Sequence, residues 1–198
     1  MATPRERVPR GAGKTALLDS ALQLIAERGL HALTMREVAN HAGMSLGSTS
    51  YHFTDRDHLL EAALQRFAEE EIARCEAAVQ AWQAEESTPE QLSAILVDEL
   101  ATSFGRPGSA VPQMELYVEA SRNPVLAAAA QRCITAYESM LATALELVGV
   151  EPEQAAKRAE RMIIYADGVA MHSAASVVPS SFPPDVGKVM WLFATTEV

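Results

Sequence analysis

The chain has few of the residues that catalysis, metal binding or disulfide bonding would need. It has two cysteines, Cys75 and Cys133, which lie far apart, so we predict free thiols in the core, with redox sensing as the alternative. The five histidines show no metal-ligand spacing with carboxylates or cysteines. Neither an H-E-x-x-H helix nor a phosphate-binding loop occurs. We therefore predict no metal, no cofactor and no catalytic activity.

Long apolar runs are also lacking. No stretch approaches the roughly 18 apolar residues of a membrane span. The first fifteen residues are basic and polar, without the apolar region of a signal peptide, so we expect a cytoplasmic protein. With 198 residues, 48% of them hydrophobic, the chain can form one small module and one larger core-forming domain.

Positive charge is scarce, and the net charge of −10 at first argues against a nucleic-acid partner. Its distribution changes that conclusion. Residues 1–60 hold seven Lys or Arg against six Asp or Glu, whereas residues 61–198 hold nine against twenty. Phosphate therefore repels the second part and not the first. We interpret residues 1–12 as a flexible basic arm, with a plain disordered tail or an expression remnant as the alternative.

Apolar residues recur at helical spacing, and no alternating strand pattern of useful length appears, so the predicted fold is all-α. Glycines and prolines mark the ends of the predicted helices, with Gly29 and Gly149 as stops and Pro124 and Pro152 in first turns. The predicted helices cover about 14–28, 34–42, 45–53, 55–84, 90–104, 113–121, 124–148, 152–177 and 184–195.

The stretch TMREVANHAGMSLGSTSYHF, residues 34–53, carries the most information. Thr34 and Glu37 form a capping box, and Ser45 caps the next helix. Gly43 supplies a residue that tolerates positive φ in the tight turn between the two helices. Two short helices across such a turn are typical of a helix-turn-helix, in which one helix lies in the major groove while its neighbour braces it.

Residues 21–60, ALQLIAERGLHALTMREVANHAGMSLGSTSYHFTDRDHLL, resemble the TetR family of transcriptional regulators. The family pattern runs T-x-R-x-[IV]-A-x-x-[AL]-G-[VM]-S-x-G and ends in an aromatic-rich segment such as Y-H-F. The matching residues are Thr34, Arg36, Val38, Ala39, Gly43, Ser45, Gly47, Tyr51, His52 and Phe53. The resemblance implies a three-helix DNA-binding domain at 13–58 and a larger helical domain for ligand binding and dimerisation at 59–198.

The resemblance also implies roles for single residues. Phosphate contacts would come from the second helix, the end of the third and the start of the fourth: Thr34, Arg36, Tyr51, His52 and Arg56. Base edges would be approached from the start of the third helix, the reading helix: Ser45, Gly47, Ser48 and Thr49. The charge distribution adds Lys14 to these candidates. As alternatives, Ser45 serves only as a cap and His52 only as a surface residue.

Three positions depart from the family pattern. An apolar residue usually stands at Thr49, often an aromatic at Ser50, and usually Lys at Arg56. Thr49 either loosens the packing of the reading helix or adds a base contact. Arg56 still supplies a cation for phosphate, with a different geometry from Lys.

In the family the last two long helices, here about 152–177 and 184–195, pair across a homodimer, which implies a near-palindromic operator. A core helix is the alternative for the first of them. The predicted interface residues are Met162, Tyr165, Val169, Val186, Val189, Met190 and Phe193. Asp167 lies in the same apolar run and needs a partner; we favour one at the interface over a cationic ligand.

The family also senses small molecules in the helical body and leaves DNA when they bind. Candidate lining residues combine aromatic, thioether and polar groups, with core or interface positions as the alternative for each: Trp82, Phe104, Met114, Tyr117, Tyr137, Met140, Tyr165 and His172. The prediction is a homodimeric repressor of a double-stranded DNA operator, released by a small, largely apolar effector. An activator of the same fold and a helical interaction protein with a degenerate reader are the alternatives.

Overall fold

The computed structural model describes residues 12–84 and 110–175, together with Val189 and Leu192. Within these ranges the regular structure is helical throughout, which confirms the all-α prediction. The described ranges hold seven α-helices: α1 Ala12–Arg28, α2 Met35–His41, α3 Leu46–His52, α4 Arg56–Ala84, α5 Ala110–Ala120, α6 Pro124–Leu147 and α7 Pro152–Ala174. No helix of the described part is long and apolar enough to cross a membrane. The predicted helix at 90–104 lies outside the described residues.

The chain divides into two compact units, residues 1–67 and residues 68–198. The division falls inside α4, later than the boundary predicted after residue 58. The first turns of α4 bury apolar side chains such as Leu59 and Leu64 completely, and these belong to the first unit. Arg66 in the same turns pairs with Asp19 of α1 at 2.9 Å.

The ends of the helices follow local chemistry. Gly29 ends α1 with φ +73°, and its N–H donates to the Ile25 carbonyl at 2.8 Å. The chain then makes a short 3-10 helix, Leu30–Ala32. Asn123 caps α6, where its side-chain oxygen accepts from the Val125 N–H at 2.9 Å. Gly149, with φ +93°, ends the same helix before α7 begins.

The second unit packs α5, α6 and α7 with the later turns of α4. The inner face of α7 repeats every three to four residues and is rich in alanine, which lets the helices approach closely. Its buried members are Ala155, Ala159, Met162, Ile163, Ala166 and Ala170. Cys75 and Cys133 are both buried and form no disulfide with one another, in line with the predicted core thiols, and burial raises the pKa of the Cys133 thiol to about 12.

Candidate DNA-reading surface and effector cavity

Two capped helices and a glycine turn form the candidate DNA reader. Thr34 Oγ1 accepts from the Glu37 N–H and Ser45 Oγ accepts from the Ser48 N–H, both at 3.1 Å, so each hydroxyl satisfies a free amide at the start of its helix. Gly43 takes φ +64°, the left-handed conformation that the turn requires. The predicted helix-turn-helix geometry is present, with α3 as the reading helix.

The reading helix has distinct inner and outer faces. On the inner face Thr49 and Phe53 are buried, and Val38 and Ala39 of α2 are buried with them in the first unit. The outer face carries the exposed residues Leu46, Gly47, Ser50 and Tyr51. We call these four residues the DNA-reading surface. Its outermost side chain is Tyr51, which is 84% exposed.

Thr49 does not belong to that surface. It is 0% exposed, and its Oγ1 has no hydrogen-bond partner. The predicted base contact by Thr49 is therefore wrong, and the alternative that it affects packing is favoured. The reason is helical phase: Thr49 lies four residues before the buried Phe53 and therefore on the same side of α3.

The predicted phosphate contacts at the ends of the helices are accessible to different degrees. Lys14, Thr34 and Arg36 are exposed, and His52 is half-buried. The start of α1 lies against the reading helix, because a Cβ built on Gly13 would come within 3.2 Å of Met44 Cε and 3.4 Å of His52 Nε2. This contact brings Lys14 to the same side as α3, where its Nζ lies 6.0 Å from the centre of the Phe53 ring.

Arg56 has a role that the sequence did not predict. Its Nε donates to the Leu33 carbonyl at 2.9 Å and its Nη2 to the Leu30 carbonyl at 3.1 Å. Its Nη1 donates to Asp57 at 3.1 Å. The guanidinium therefore satisfies carbonyls of the 3-10 segment and ties it to the start of α4. The predicted contact between Arg56 and phosphate stays a prediction. Such a contact would have to use the guanidinium N–H groups that these three bonds leave over.

In the second unit an open cavity of about 660 Å³ lies between α4 and α6. Its wall is mixed, with apolar side chains from both helices and hydroxyl, amide and charged groups around them. We call it the α4–α6 cavity; it is lined by Ile72, Cys75, Glu76, Val79, Gln80, Gln131, Arg132, Thr135, Ala136, Ser139, Met140 and Thr143.

Met140 is the predicted ligand residue that lines this cavity. Trp82 and Tyr137 are buried, whereas Met114, Tyr117 and Tyr165 are half-buried, and these five are absent from its wall. His172 is exposed near the end of α7, so its predicted place in an internal pocket is wrong. Phe104 lies outside the described residues. The hydroxyl and amide groups of the wall were missed because they lack the aromatic signal that guided the prediction.

Tyr137 was predicted to face a ligand and instead belongs to a buried polar group. Its hydroxyl donates to Glu71 Oε2 at 2.7 Å. Arg74 donates to the same carboxylate oxygen, from Nη2 at 2.9 Å and from Nε at 3.1 Å. Burial raises the pKa of the Tyr137 phenol far above its usual value, so the phenol stays protonated and keeps donating.

Asp167 has its partner within the same chain. Gln113 Nε2 donates to Asp167 Oδ1 at 2.7 Å and lies 3.0 Å from Tyr117 Oη. The need for a partner was predicted correctly, but the favoured partner across an interface is wrong, because α5 supplies one. Burial raises the pKa of Asp167 to about 6, and the hydrogen bond from Tyr117 opposes that rise.

The later turns of α7 expose apolar residues on the side away from the core. Ile164 is 65% exposed and Met171 is also exposed, and a Cβ on Gly168 would meet nothing within 4 Å. These three residues follow i, i+4, i+7, and we call them the outer face of α7. The sequence prediction missed Ile164 and Met171, although their spacing around Gly168 carries the signal.

The predicted dimer-interface residues differ in how exposed they are. Met162 is 2% exposed and belongs to the core of its own chain, so its predicted place at the interface is wrong. Tyr165, Val169 and Val189 are half-buried. Leu192, which was not predicted, is exposed. Val186, Met190 and Phe193 lie outside the described residues.

Comparison with known families agrees with this architecture. A family model described as bacterial regulatory proteins of the tetR family matches residues 17–63. A second, described as a tetracyclin repressor-like C-terminal domain, matches residues 87–190, just over half of the chain. The chain belongs to the TetR family. Members of this family are DNA-binding transcriptional regulators rather than enzymes, and the residues of the reader lie within the first match.

Individual relatives differ in how much of this chain they match and in how similar their sequences and folds are. The HTH-type transcriptional repressor KstR2 of Rhodococcus jostii is 40% identical over 57 residues, which cover 29% of this chain and 28% of KstR2. The match thus spans under a third of that relative. A transcriptional regulator of Rhodococcus sp. Rha1 shares the fold, with a TM-score of 0.70 at 22% identity over 91% of this chain and 93% of the other. The multidrug binding protein EbrR, solved with ethidium, gives a TM-score of 0.64 at 26% identity over 92% and 98%.

Proposed function

We propose that this TetR-family regulator is a cytoplasmic, homodimeric repressor that binds a near-palindromic operator and leaves it when a small, largely apolar ligand binds. The observation that carries the proposal is the DNA-reading surface. Two helices with capped N-termini are joined by a tight turn at a glycine, and the second of them exposes Leu46, Gly47, Ser50 and Tyr51 together. In this function Thr34, Arg36 and Tyr51 hold phosphates, and the start of α3 meets base edges.

Homodimerisation is supported by the outer face of α7. Single exposed apolar side chains are common on protein surfaces, but Ile164 and Met171 form one stripe with an open glycine between them. A two-fold dimer presents the same patch from both chains, so a self-complementary apolar stripe suits it. Two copies also present two readers, which a palindromic operator requires.

Release by a ligand is supported by the α4–α6 cavity. At about 660 Å³ it has the size of a small-molecule site, and its wall combines apolar side chains with a few hydroxyl and charged groups. EbrR, which shares the fold, is solved with ethidium and with proflavin. A ligand that binds only the DNA-free form shifts the equilibrium away from the operator by its differential affinity.

Repression is favoured over activation by the relative KstR2, whose name describes a repressor. The same reader would serve an activator, since the sign of regulation depends on where the operator lies relative to the promoter. Transcription in vitro from a promoter that carries the operator distinguishes them: a repressor lowers transcript yield when it is added, and an activator raises it.

Fluorescence anisotropy tests the proposed DNA binding. The full-length protein is titrated into a labelled duplex from upstream of its own gene and into a scrambled duplex of equal length, at two salt concentrations. We expect selective binding that weakens with salt, with two chains per site. If neither duplex is selected, the protein is passed through rounds of selection from random duplexes. Failure to enrich any sequence would overturn the proposal.

A further inference from the structure

Leu46 occupies an unusual place for an apolar side chain. It is the first residue of the reading helix, directly after the cap Ser45, and it is 44% exposed. Ser50, four residues later, lies on the same exposed side, whereas Thr49 and Phe53 face inward. The packing of the first unit therefore directs Leu46 away from the core and onto the DNA-reading surface.

The groups around Leu46 leave it as the prominent side chain of the first turn. Ser45 Oγ is used in the cap, where it accepts from the Ser48 N–H. Gly47 has no side chain, and Ser48 is short and half-buried. A helix that enters the major groove by its N-terminal end therefore presents Leu46 to the base edges first.

Leucine has no hydrogen-bond donor or acceptor, so it cannot read the polar pattern of a base edge. In the major groove of unmodified DNA the apolar feature is the C5 methyl group of thymine. Removing the exposed part of Leu46 and a thymine methyl from water together is favourable, whereas Leu46 against a polar edge leaves that edge without a partner.

We propose that Leu46 is a specificity-determining residue that selects thymine at one position of each operator half-site through the C5 methyl group. This inference rests on the proposed function. Leu46 stands at the x of S-x-G in the family pattern, a position that accepts any residue. The inference therefore gives a base preference to a residue for which that pattern implies no role.

The experiment removes the methyl group alone. In the operator obtained by selection, thymines are replaced by deoxyuridine one position at a time, symmetrically in both half-sites, which keeps every hydrogen-bonding group. For the native protein we expect deoxyuridine at one symmetric position to weaken binding about fourfold per half-site, the effect of one methyl group. For Leu46→Ala the same replacement should have no effect. Salt is kept low enough that the weakest complex can be measured.

Two further variants make the result specific. Ser50→Ala changes a neighbour on the same exposed side and should keep the deoxyuridine effect in full. Leu46→Gln places a bidentate hydrogen-bonding group at the same position, and selection with it should shift the preferred base from thymine toward adenine. Because Leu46 and Ser50 are exposed, all three variants should keep the native circular dichroism spectrum and melting temperature.

The outcomes separate the two proposals. If the native protein selects no sequence, the proposed function itself fails. If it selects an operator but no thymine position responds to deoxyuridine, or if Leu46→Ala responds as strongly as the native protein, the regulator stands and the role of Leu46 is overturned.

Discussion

The phenolic hydroxyl of Tyr137 donates a 2.7 Å hydrogen bond to Oε2 of Glu71 and so joins α6 to α4 inside the second unit. Arg74 donates to the same oxygen at 2.9 Å, and its guanidinium carbon lies 5.8 Å from the centre of the Tyr137 ring. A carboxylate that is largely shielded from water needs such partners. The two helices that it joins are those that enclose the α4–α6 cavity, so this group fixes their register beside the proposed effector site.

We predict that Tyr137→Phe lowers the free energy of unfolding by about 1 kcal/mol, because the half-buried Glu71 loses a donor. Urea denaturation followed by circular dichroism measures the change. Ser139→Ala, at an exposed position of the same helix, is the control and should change stability by less than about 0.5 kcal/mol. Equal stability of Tyr137→Phe and the native protein would show that water satisfies Glu71 instead.

Thr49→Val should stabilise the protein. Valine has nearly the shape of threonine, and the Thr49 hydroxyl is buried without a hydrogen-bond partner, so the change removes a desolvation cost of about 1 kcal/mol. Thermal denaturation should show a higher melting temperature, while Ser50→Ala, at the exposed neighbour, should leave it nearly unchanged. A lower melting temperature for Thr49→Val would mean that the hydroxyl has a partner in solution.

We predict that Asp167 makes the stability of the folded chain depend on pH. Burial raises the pKa of Asp167 from its ordinary value of 3.8 to about 6 in the folded chain, so the folded state binds this proton more tightly than the unfolded state. Its contribution is therefore favourable at low pH and is lost as pH rises from about 4 to about 6. Asp167→Asn should match the native protein at about pH 3 and exceed it above pH 7 by about 3 kcal/mol.

Urea denaturation of both proteins at several pH values measures this difference. Comparison of the two proteins removes the contributions of the other titrating groups, which are the same in both. A stability difference that does not change with pH would contradict the raised pKa. Destabilisation of Asp167→Asn at every pH would show that the charge of Asp167 strengthens the hydrogen bond from Gln113 more than burial opposes it.

Tyr51→Ala should weaken binding to every duplex about tenfold while the dimer stays intact, because the lost contact is to phosphate and not to a base. Tyr51→Phe distinguishes the hydroxyl from the ring. Since tyrosine supplies no cation to the DNA, the slope of log K against log salt should not change. Arg36→Ala, by contrast, should make that slope shallower by about 0.9. A loss confined to the operator would instead assign Tyr51 to base recognition.

Ile164→Glu should convert the proposed dimer to monomers, because it places an unpaired charge in the outer face of α7. Sedimentation velocity over a range of concentrations measures the change in mass. Gln154→Glu adds the same charge at an exposed position near the start of that helix and should leave the dimer unchanged. If the native protein is a monomer, or if Ile164→Glu remains a dimer, the interface lies elsewhere.

Much of the local structure followed from the sequence. The capping residues Thr34 and Ser45, the turn at Gly43 and the stop at Gly29 all act within four residues of the groups that they satisfy. Such interactions need no knowledge of the rest of the fold, so a sequence pattern predicts them well. Together with the helical period they determined the helix-turn-helix and its place near the start of the chain.

The tertiary structure decided which side of each helix is inside. The sequence shows that α7 has apolar stripes on more than one side, but only the packing of its neighbours buries Met162 and leaves Ile164 exposed. Likewise Thr49 faces inward while Leu46 faces outward. The polar pairs Tyr137 with Glu71 and Gln113 with Asp167 join residues 66 and 54 positions apart. Such partners meet only when separate helices pack, because helical periodicity gives the spacing of a stripe and not what covers it.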